Sequence, residues 1–257
     1  MKLYIFGTCA GTEPMENRKH TSFAIEINGR FYWFDAGEGC SYTAHLMGVD
    51  LLKVSEIFIS HTHMDHVGGL GNLLWNIRKL SNVKQVFPEF GDISVFIPNR
   101  DTFDGIMTVL KNTEGNFNTG YNHIVKEVKD GIVFENDNIK VFAKHNTHLA
   151  VEETMWRSFS YKIKSGDKTV VFSGDVKDFS ELFELLEDGC DLLLMETGHH
   201  SFEAVLKTIE EKKFQVKKVC FLHHGREILY NYDECCERCK KINPSAILLN
   251  DGDILEV

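Results

Sequence analysis

The stretch that decides the fold is Ser60-His-Thr-His-Met-Asp-His-Val-Gly-Gly69. It follows the apolar run 54–59, which is typical of a buried strand, so its polar side chains leave from a strand end. An extended backbone points His61 and His63 the same way, and the closing glycines let the chain turn tightly into a helix. Imidazole and carboxylate groups are ligands that zinc accepts, and this stretch holds enough of them for two adjacent ions. The ligands predicted here are His61, His63, Asp65 and His66.

Several other predicted strands end in a carboxylate or a histidine. Ligands that converge from one edge of packed sheets form a single site. Hairpins in the first half and strands alternating with helices in the second half predict layers of helix, sheet, sheet and helix. The expected fold class is therefore α+β, with two mixed sheets packed face to face and helices on both outer faces. The residues at these strand ends are Asp35, His61, Asp175, Glu196 and His223.

The first metal ion is expected to bind His61 and His63 together with a third imidazole. Segment 145–148, which reads His-Asn-Thr-His after Lys144, follows another predicted strand and supplies two candidates. His148 is the preferred ligand, and His145 is the alternative.

The second ion is expected to bind Asp65 and His66, with a histidine that follows the predicted strand 216–222. His223 is preferred because of the alternation along that strand, and His224 is the alternative. Asp175 is predicted to bridge both ions through its two oxygens. Asp35 is predicted to orient one of the ligand histidines.

A pair of divalent ions indicates the class of reaction. Two close ions deprotonate water near neutral pH and neutralise charge on a phosphoryl or acyl oxygen. We therefore expect metal-assisted hydrolysis by a metal-bound hydroxide, which Asp65 would orient. Two Zn²⁺ per chain are predicted, and Mn²⁺ or iron remain alternatives because His/Asp sites accept several metals.

Length and composition indicate one cytosolic domain. The 257 residues are 43% hydrophobic, enough for one large core over residues 1–257, and no linker composition divides them. No apolar run approaches membrane-spanning length, so no membrane partner is expected. Seven cysteines without a disulfide-framework spacing favour a reducing, cytoplasmic location.

The net charge of −10 restricts the partner. Proteins that hold long nucleic acids by their phosphates usually present a basic field, so long nucleic acid is disfavoured as a substrate. A small molecule or a short phosphodiester is expected instead.

Ser60–His66 resembles the signature of the metallo-β-lactamase superfamily, and further motifs accompany it in chain order. The Gly-Thr-x-Ala-Gly opening is more restrictive and resembles the branch that contains ribonuclease Z and related phosphodiesterases. The resemblance implies an αββα sandwich, a dinuclear zinc site and a possible homodimer, and it leaves residues 81–140 unmatched. The accompanying motifs are Gly7-Thr-Cys-Ala-Gly-Thr12, His20-Thr-Ser22, Phe34-Asp-Ala-Gly-Glu-Gly39, Ser173-Gly-Asp175 and Asn250-Asp-Gly252.

The same branch uses a histidine supported by a glutamate to protonate the leaving oxygen. Leu194-Met-Glu196 followed by His200-Ser201 is similar to that arrangement, although the gap is shorter here. A histidine paired with a carboxylate suits proton donation near neutral pH. His200 and Glu196 are therefore the predicted catalytic pair, beside Asp65.

Two departures from the ribonuclease Z pattern bear on the substrate. The glycine-rich basic arm that grips transfer RNA in those proteins is not recognisable here. Residues 149–157 form an insert with Glu152, Glu153 and Trp156, which is predicted to shape or cap the pocket. Phe117 and Tyr121 are candidates for stacking on a substrate ring.

Four readings of the function compete. A zinc-dependent phosphodiesterase is preferred because of the opening motif and the Glu196/His200 pair. A thioester or lactone hydrolase is the alternative, since residues 62–69 also resemble glyoxalase-II-like and lactonase motifs. A non-catalytic metal-binding sensor and a coloured di-iron redox protein are the remaining possibilities.

Overall fold

The computed structural model describes residues 1–149 and 155–257. In this part of the chain, strands are arranged in two seven-stranded sheets. The first sheet has the order β14-β1-β2-β3-β4-β5-β6, and the second has the order β13-β12-β11-β10-β9-β8-β7. The strands of the first sheet are β1 (Lys2–Gly7), β2 (Ser22–Ile27), β3 (Arg30–Phe34), β4 (Val54–Phe58), β5 (Ile93–Ile97), β6 (His123–Glu127) and β14 (Ile254–Glu256). Those of the second are β7 (Gly131–Glu135), β8 (Lys140–His145), β9 (Phe159–Ser165), β10 (Lys168–Phe172), β11 (Cys190–Thr197), β12 (Val216–His224) and β13 (Ile247–Leu248).

The helices lie between strands along the chain and on the outer faces of the sheets. Their apolar faces pack against the strands, as amphipathic helices of a layered protein do. The helices are α1 (Cys40–Leu46), α2 (Met64–Val67), α3 (Leu70–Lys84), α4 (Arg100–Thr113), α5 (Phe183–Leu186), α6 (Phe202–Lys212), α7 (Arg226–Tyr230) and α8 (Tyr232–Ile242).

The strand directions explain why the predicted ligands share one edge. In the first sheet β3, β4, β5 and β6 pair in parallel, and in the second β10, β11, β12 and β13 do the same. The carboxyl ends of each parallel group meet at one edge, which is where ligands bind in such sheets. Asp35 and His61 follow two strands of the first group, and Asp175 follows a strand of the second.

Aromatic rings fill the space between the two sheets. Phe23, Phe34 and Phe58 stack across neighbouring strands of the first sheet, with centroids 5.0 Å apart in both steps. Phe172 and Tyr161 of the second sheet meet this row edge-on. Offset and edge-to-face contacts are the favoured geometries for buried rings, so the row fastens one sheet to the other.

Two further apolar clusters lie on the outer faces. Trp33 and its outward-facing neighbours pack under α1, α3 and α4, and a separate cluster lies under α5, α6 and α8. Three apolar layers between four layers of secondary structure confirm the predicted αββα sandwich of two mixed sheets.

The prediction was incomplete in the middle of the chain. β6 and β7 were not recognised, because none of their residues is buried and their apolar positions do not alternate cleanly. Phe117, a candidate for stacking on a substrate ring, is only 4% exposed and belongs to the core beneath α4, so it cannot stack on a substrate. The helical stretch that follows β12 is divided at Asn231 into α7 and α8.

No helix in residues 1–149 or 155–257 is both long and apolar enough to cross a membrane. All seven cysteines lie in these ranges and are free thiols.

Candidate metal centre

A tight turn after β4 brings the first ligands to the sheet edge. His61 and His63 follow the strand, and Asp65 and His66 lie in α2, a single helical turn. A Cβ atom at Gly69 would lie 2.2 Å from the carbonyl oxygen of Gly37, so only glycine allows this close approach. The glycines of the motif therefore hold the ligand turn against the loop that follows β3.

Three histidines form one group of converging ligand atoms, here called the histidine set: His61, His63 and His148. Nε2 of His61 lies 3.1 Å from Nδ1 of His63, and Nε2 of His148 lies 3.3 Å from the same Nδ1 atom. His61 is fully buried, whereas His63 is exposed and His148 lies between these extremes. The set therefore lines the mouth of a cleft.

Two aspartates and two histidines form a second group, here called the carboxylate set: Asp65, His66, Asp175 and His223. Nε2 of His223 lies 3.1 Å from Oδ2 of Asp65 and 3.3 Å from Oδ2 of Asp175. Nε2 of His66 lies 3.2 Å from Oδ1 of Asp175. All four side chains are buried or nearly so.

Asp175 lies between the two sets. Its Oδ2 is 3.8 Å from Nε2 of His61 and 3.7 Å from Nε2 of His148, while Oδ1 faces His66. Oδ1 of Asp175 and Nε2 of His66 are buried and form no hydrogen bond. Buried polar atoms without a partner are costly, and these two are aimed at a common point, so the donors fit a cation.

Asp35 holds the carboxylate set from behind. Its Oδ2 accepts a hydrogen bond of 2.7 Å from Nδ1–H of His66, and its Oδ1 accepts one of 2.6 Å from the backbone N–H of Ser60. Asp35 therefore selects the tautomer of His66 that leaves Nε2 free for a metal. This is the contact that the sequence predicted for it.

The structure separates each preferred histidine from its alternative. His145 lies apart from the histidine set, with Nδ1 2.6 Å from Oδ2 of Asp130. His224 is buried away from the carboxylate set, and its Nε2–H donates to the carbonyl of Leu249. His148 and His223, in contrast, belong to the two sets.

The predicted catalytic pair is arranged differently from the expectation. Nδ1 of His199, not His200, hydrogen-bonds Oε1 of Glu196 at 3.1 Å, and the backbone N–H of His199 donates to Oε2 at 2.9 Å. The ring of His200 instead donates from Nε2–H to the carbonyl of Val176. The same Nε2 atom lies 3.6 Å from Oε1 of Glu196. His199 also lies beside the metal-ligand sets, with Nδ1 3.9 Å from Oδ2 of Asp175.

The family to which the chain belongs follows from a model that spans nearly all of it. The model described as Anti-Pycsar protein Apyc1 matches residues 1–240. The chain belongs to the Apyc1 family.

Curated relatives of this Apyc1-family chain are named ribonuclease Z. The protein from Methanothermobacter thermautotrophicus is 29% identical over 148 residues, which cover 58% of this chain and 45% of that protein. The one from Pyrococcus horikoshii is 26% identical and aligns with 98% of this chain and 95% of its own length. Other relatives are matched over about half of their own length or less. For the ribonuclease Z of Treponema pallidum, the matched share of that protein is 24%.

A solved structure supports the fold. The short form of human tRNase Z superimposes with a TM-score of 0.73 at 17% identity, covering 100% of this chain and 99% of that one. This superposition confirms the metallo-β-lactamase fold, and the curated relatives confirm the resemblance to the ribonuclease Z branch.

The charges in the Apyc1-family centre are arranged to receive a cation. Burial lowers the pKa of His61 well below its usual value. Burial also opposes protonation of His66, but the carboxylates of Asp175 and Asp35 outweigh it and raise its pKa well above the usual range. Burial alone would raise the pKa of Asp175, yet the imidazoles of His223 and His66 hold it well below its usual value. The carboxylates thus stay ionised and stabilise positive charge between them.

The two sets and His199 open into one cleft of about 610 Å³. Gly198 allows this packing, because a Cβ atom there would lie 2.7 Å from Nδ1 of His223. The hydrogen bond to Glu196 raises the pKa of His199. Burial would raise the pKa of Glu196, but the hydrogen bond from His199 and the nearby imidazole of His223 lower it to about 2. The result is an ionised carboxylate that holds a protonatable ring at the cleft.

His199 is the residue that the prediction missed. The sequence offered two adjacent histidines three and four positions after Glu196, and spacing alone does not choose between them. Of the insert over 149–157, residues 150–154, with Glu152 and Glu153, lie outside the described part of the chain. Trp156 is described and does not line this cleft.

Proposed function

We propose that the protein is a metal-dependent phosphodiesterase with a dinuclear zinc site, acting on a small nucleotide or a short RNA-type phosphodiester. The observation that carries this proposal is the position of Asp175, whose carboxylate reaches both sets. Its Oδ1 lies 3.2 Å from Nε2 of His66, and its Oδ2 lies 3.3 Å from Nε2 of His223 and 3.7 Å from Nε2 of His148. A carboxylate in that position suits the bridging of two ions that are close together.

The donor sets match the chemistry of zinc. The imidazoles of His61, His63 and His148 would hold one ion, with a carboxylate oxygen of Asp175 as a further donor. Asp65, His66 and His223 complete the other with the same carboxylate. Two ions held there supply an acidic shared water and neutralise charge on a phosphoryl oxygen.

The side chains around the sets then have distinct tasks. Asp65 reaches from the carboxylate set into the cleft and orients the attacking water. Glu196 binds Nδ1–H of His199, which leaves Nε2 of that ring to hand a proton to the leaving oxygen. We assign the proton donor to His199 in place of His200, since the ring of His200 is held by Val176.

The relatives and the charge support the substrate class. The curated relatives are named ribonuclease Z, which points to a phosphodiester bond. The net charge of −10 opposes long polyanions, so a small or short substrate is favoured. Seven free cysteines are consistent with a reducing, cytoplasmic location.

The test is hydrolysis of bis(p-nitrophenyl) phosphate by the purified protein, with metal content measured on the same sample. We expect about two zinc ions per chain and turnover that a chelator removes. Two ions without phosphodiester turnover, but with turnover of a thioester or lactone, would overturn the proposed substrate class. A protein that binds no metal under saturating zinc would overturn the dinuclear site itself.

A further inference from the structure

A second cavity lies beside the metal-binding cleft and shares no lining residue with it. Its volume is about 480 Å³, and it lies between the ends of β5 and β6 and the segment that leads into β9. The lining side chains used below are those of Glu127, Lys129, Asp130, Trp156, Arg157 and Phe159.

The indole of Trp156 lines this cavity and is stacked on an imidazole that does not itself line it. The indole of Trp156 lies on the imidazole of His145, with centroids 3.8 Å apart and planes inclined by 10°. Asp130 fixes the imidazole, because its Oδ1 accepts from the backbone N–H of His145 at 2.7 Å and its Oδ2 lies 2.6 Å from Nδ1. Trp156 nevertheless remains 41% exposed. The indole is thus held flat while part of it stays open to a ligand.

The cavity is tied to the metal-binding residues by short connections. His145, which supports the indole, precedes His148 by three residues, at most about 11 Å of extended backbone. Phe159 lines the cavity, and its backbone N–H donates to the carbonyl of Ser60, the residue before His61. A substrate centred on the metal-ligand sets therefore has this cavity within reach of a substituent the size of a nucleoside.

The lining suits a flat ring with polar edges. Trp156 and Phe159 supply apolar surface, while Glu127, Lys129 and Arg157 supply donors and acceptors of both signs. Nη1 of Arg157 donates to the carbonyl of Pro98 at 2.7 Å, which fixes that side chain at the wall. A nucleobase has this combination of an aromatic face and hydrogen-bonding edges, and bases stack on exposed aromatic side chains.

We propose that this cavity binds the nucleobase of the substrate, with Trp156 as the stacking platform that Asp130 and His145 hold in place. The proposal rests on the proposed phosphodiesterase function for its substrate, but binding of the base is measurable without turnover. It assigns to Trp156 the stacking role that the sequence suggested for Phe117, which the structure buries in the core.

The first test is tryptophan fluorescence of the metal-free protein titrated with adenosine 5′-monophosphate. Among the three tryptophans, Trp33 is fully buried and Trp75 is half-buried against the helical core, so Trp156 is the ring most open to a ligand. We expect saturable quenching by the nucleotide and none by ribose 5-phosphate, which lacks a base. Trp75→Phe keeps the quenching, and Trp156→Phe removes it. Equal quenching by ribose 5-phosphate, or quenching that survives in Trp156→Phe, would overturn the proposal.

The second test compares two substrates of the zinc-loaded protein, thymidine 5′-(p-nitrophenyl phosphate) and methyl p-nitrophenyl phosphate. We expect Trp156→Ala to raise KM for the nucleoside substrate by about 5- to 150-fold with little change in kcat, as loss of one stacked base predicts. The methyl compound should be nearly unaffected, and Trp156→Phe should restore most of the lost affinity. Equal losses on both substrates would contradict base binding. If the unaltered protein hydrolyses neither compound, the phosphodiesterase proposal fails. The fluorescence result then still decides whether the cavity binds a nucleobase.

Discussion

The histidine set and the carboxylate set use similar ligands but are supported differently. In the carboxylate set, His66 is backed by the buried carboxylate of Asp35 at 2.7 Å, and Nδ1 of His223 lies 3.7 Å from Oε2 of Glu196. In the histidine set, His63 is exposed and His148 is half-buried at the mouth of the cleft. Ligands held by buried partners lose less freedom when a metal binds. We therefore expect the carboxylate set to hold its ion more tightly.

Removing the shared ligand should break both sets at once. Asp175→Ala deletes the carboxylate that faces His66 with one oxygen and His61 and His148 with the other. We expect both ions to be lost and phosphodiester turnover to fall by at least about 1000-fold. Elemental analysis and kinetics on one sample measure this. Asp167→Asn, in the exposed turn before β10, is the control and should keep two ions. Retention of both ions in Asp175→Ala would refute the bridging role.

The proton donor is predicted to matter only when the leaving oxygen needs a proton. His199→Ala should lower kcat by about 100- to 10,000-fold on a dinucleotide, whose leaving group is an alkoxide. It should have a small effect on bis(p-nitrophenyl) phosphate, since p-nitrophenolate leaves unprotonated. His200→Ala is the matched neighbour and should behave like the unaltered protein on both compounds. A larger loss of kcat in His200→Ala than in His199→Ala would identify His200 as the proton donor, as the sequence suggested.

Loss of one ligand from the exposed set should remove one ion and leave the other. His148→Ala is expected to retain about one zinc ion per chain and to lose about 100-fold in turnover, because one Lewis acid is worth several kcal/mol. His145→Ala, three residues away in the same segment, should retain both ions. If the two variants had equal metal content, the choice of His148 as a ligand would be wrong.

The support behind the carboxylate set should be measurable without deleting a ligand. Asp35→Asn keeps the shape of the side chain but removes the charge that holds Nδ1–H of His66. We expect metal affinity at that set to fall by about 10- to 100-fold, whereas metal affinity at the histidine set should change little. Competition with a chromogenic chelator gives the two affinities separately. An unchanged tighter affinity would show that Asp35 serves folding alone.

The smallest effect is the order in which the ions leave the unaltered protein. Stepwise addition of chelator should remove the ion of the histidine set first, since His63 is exposed, and the other only at higher chelator concentration. Co²⁺ substitution makes the two steps visible by their absorption spectra. A single step with both ions leaving together would show that Asp175 couples the sets so strongly that their different support has no consequence.

The local motifs were predictable because they depend on short-range geometry. His61, His63, Asp65 and His66 follow a buried strand and precede a glycine turn, and neither feature needs distant residues. The layer order was predictable for the same reason, since hairpins and strand–helix alternation are visible along the chain. The strands β6 and β7 were missed because none of their residues is buried, so they lack the apolar pattern of a core strand.

The choices between neighbouring histidines depended on the folded structure. His223 has a φ of +52° at a break in the pairing register between β11 and β12, and this conformation turns its ring to the carboxylate set. The ring of His224 instead forms hydrogen bonds with Thr197 and Leu249. His199 reaches the cleft because Glu196 binds it, while Val176 holds His200. The sequence by itself determined the fold, the residue types of the candidate site and the strand ends at which they lie. Only the tertiary structure decided which ring of each pair faces the site, because a bulge or a competing hydrogen bond rotates one residue without leaving a local signal.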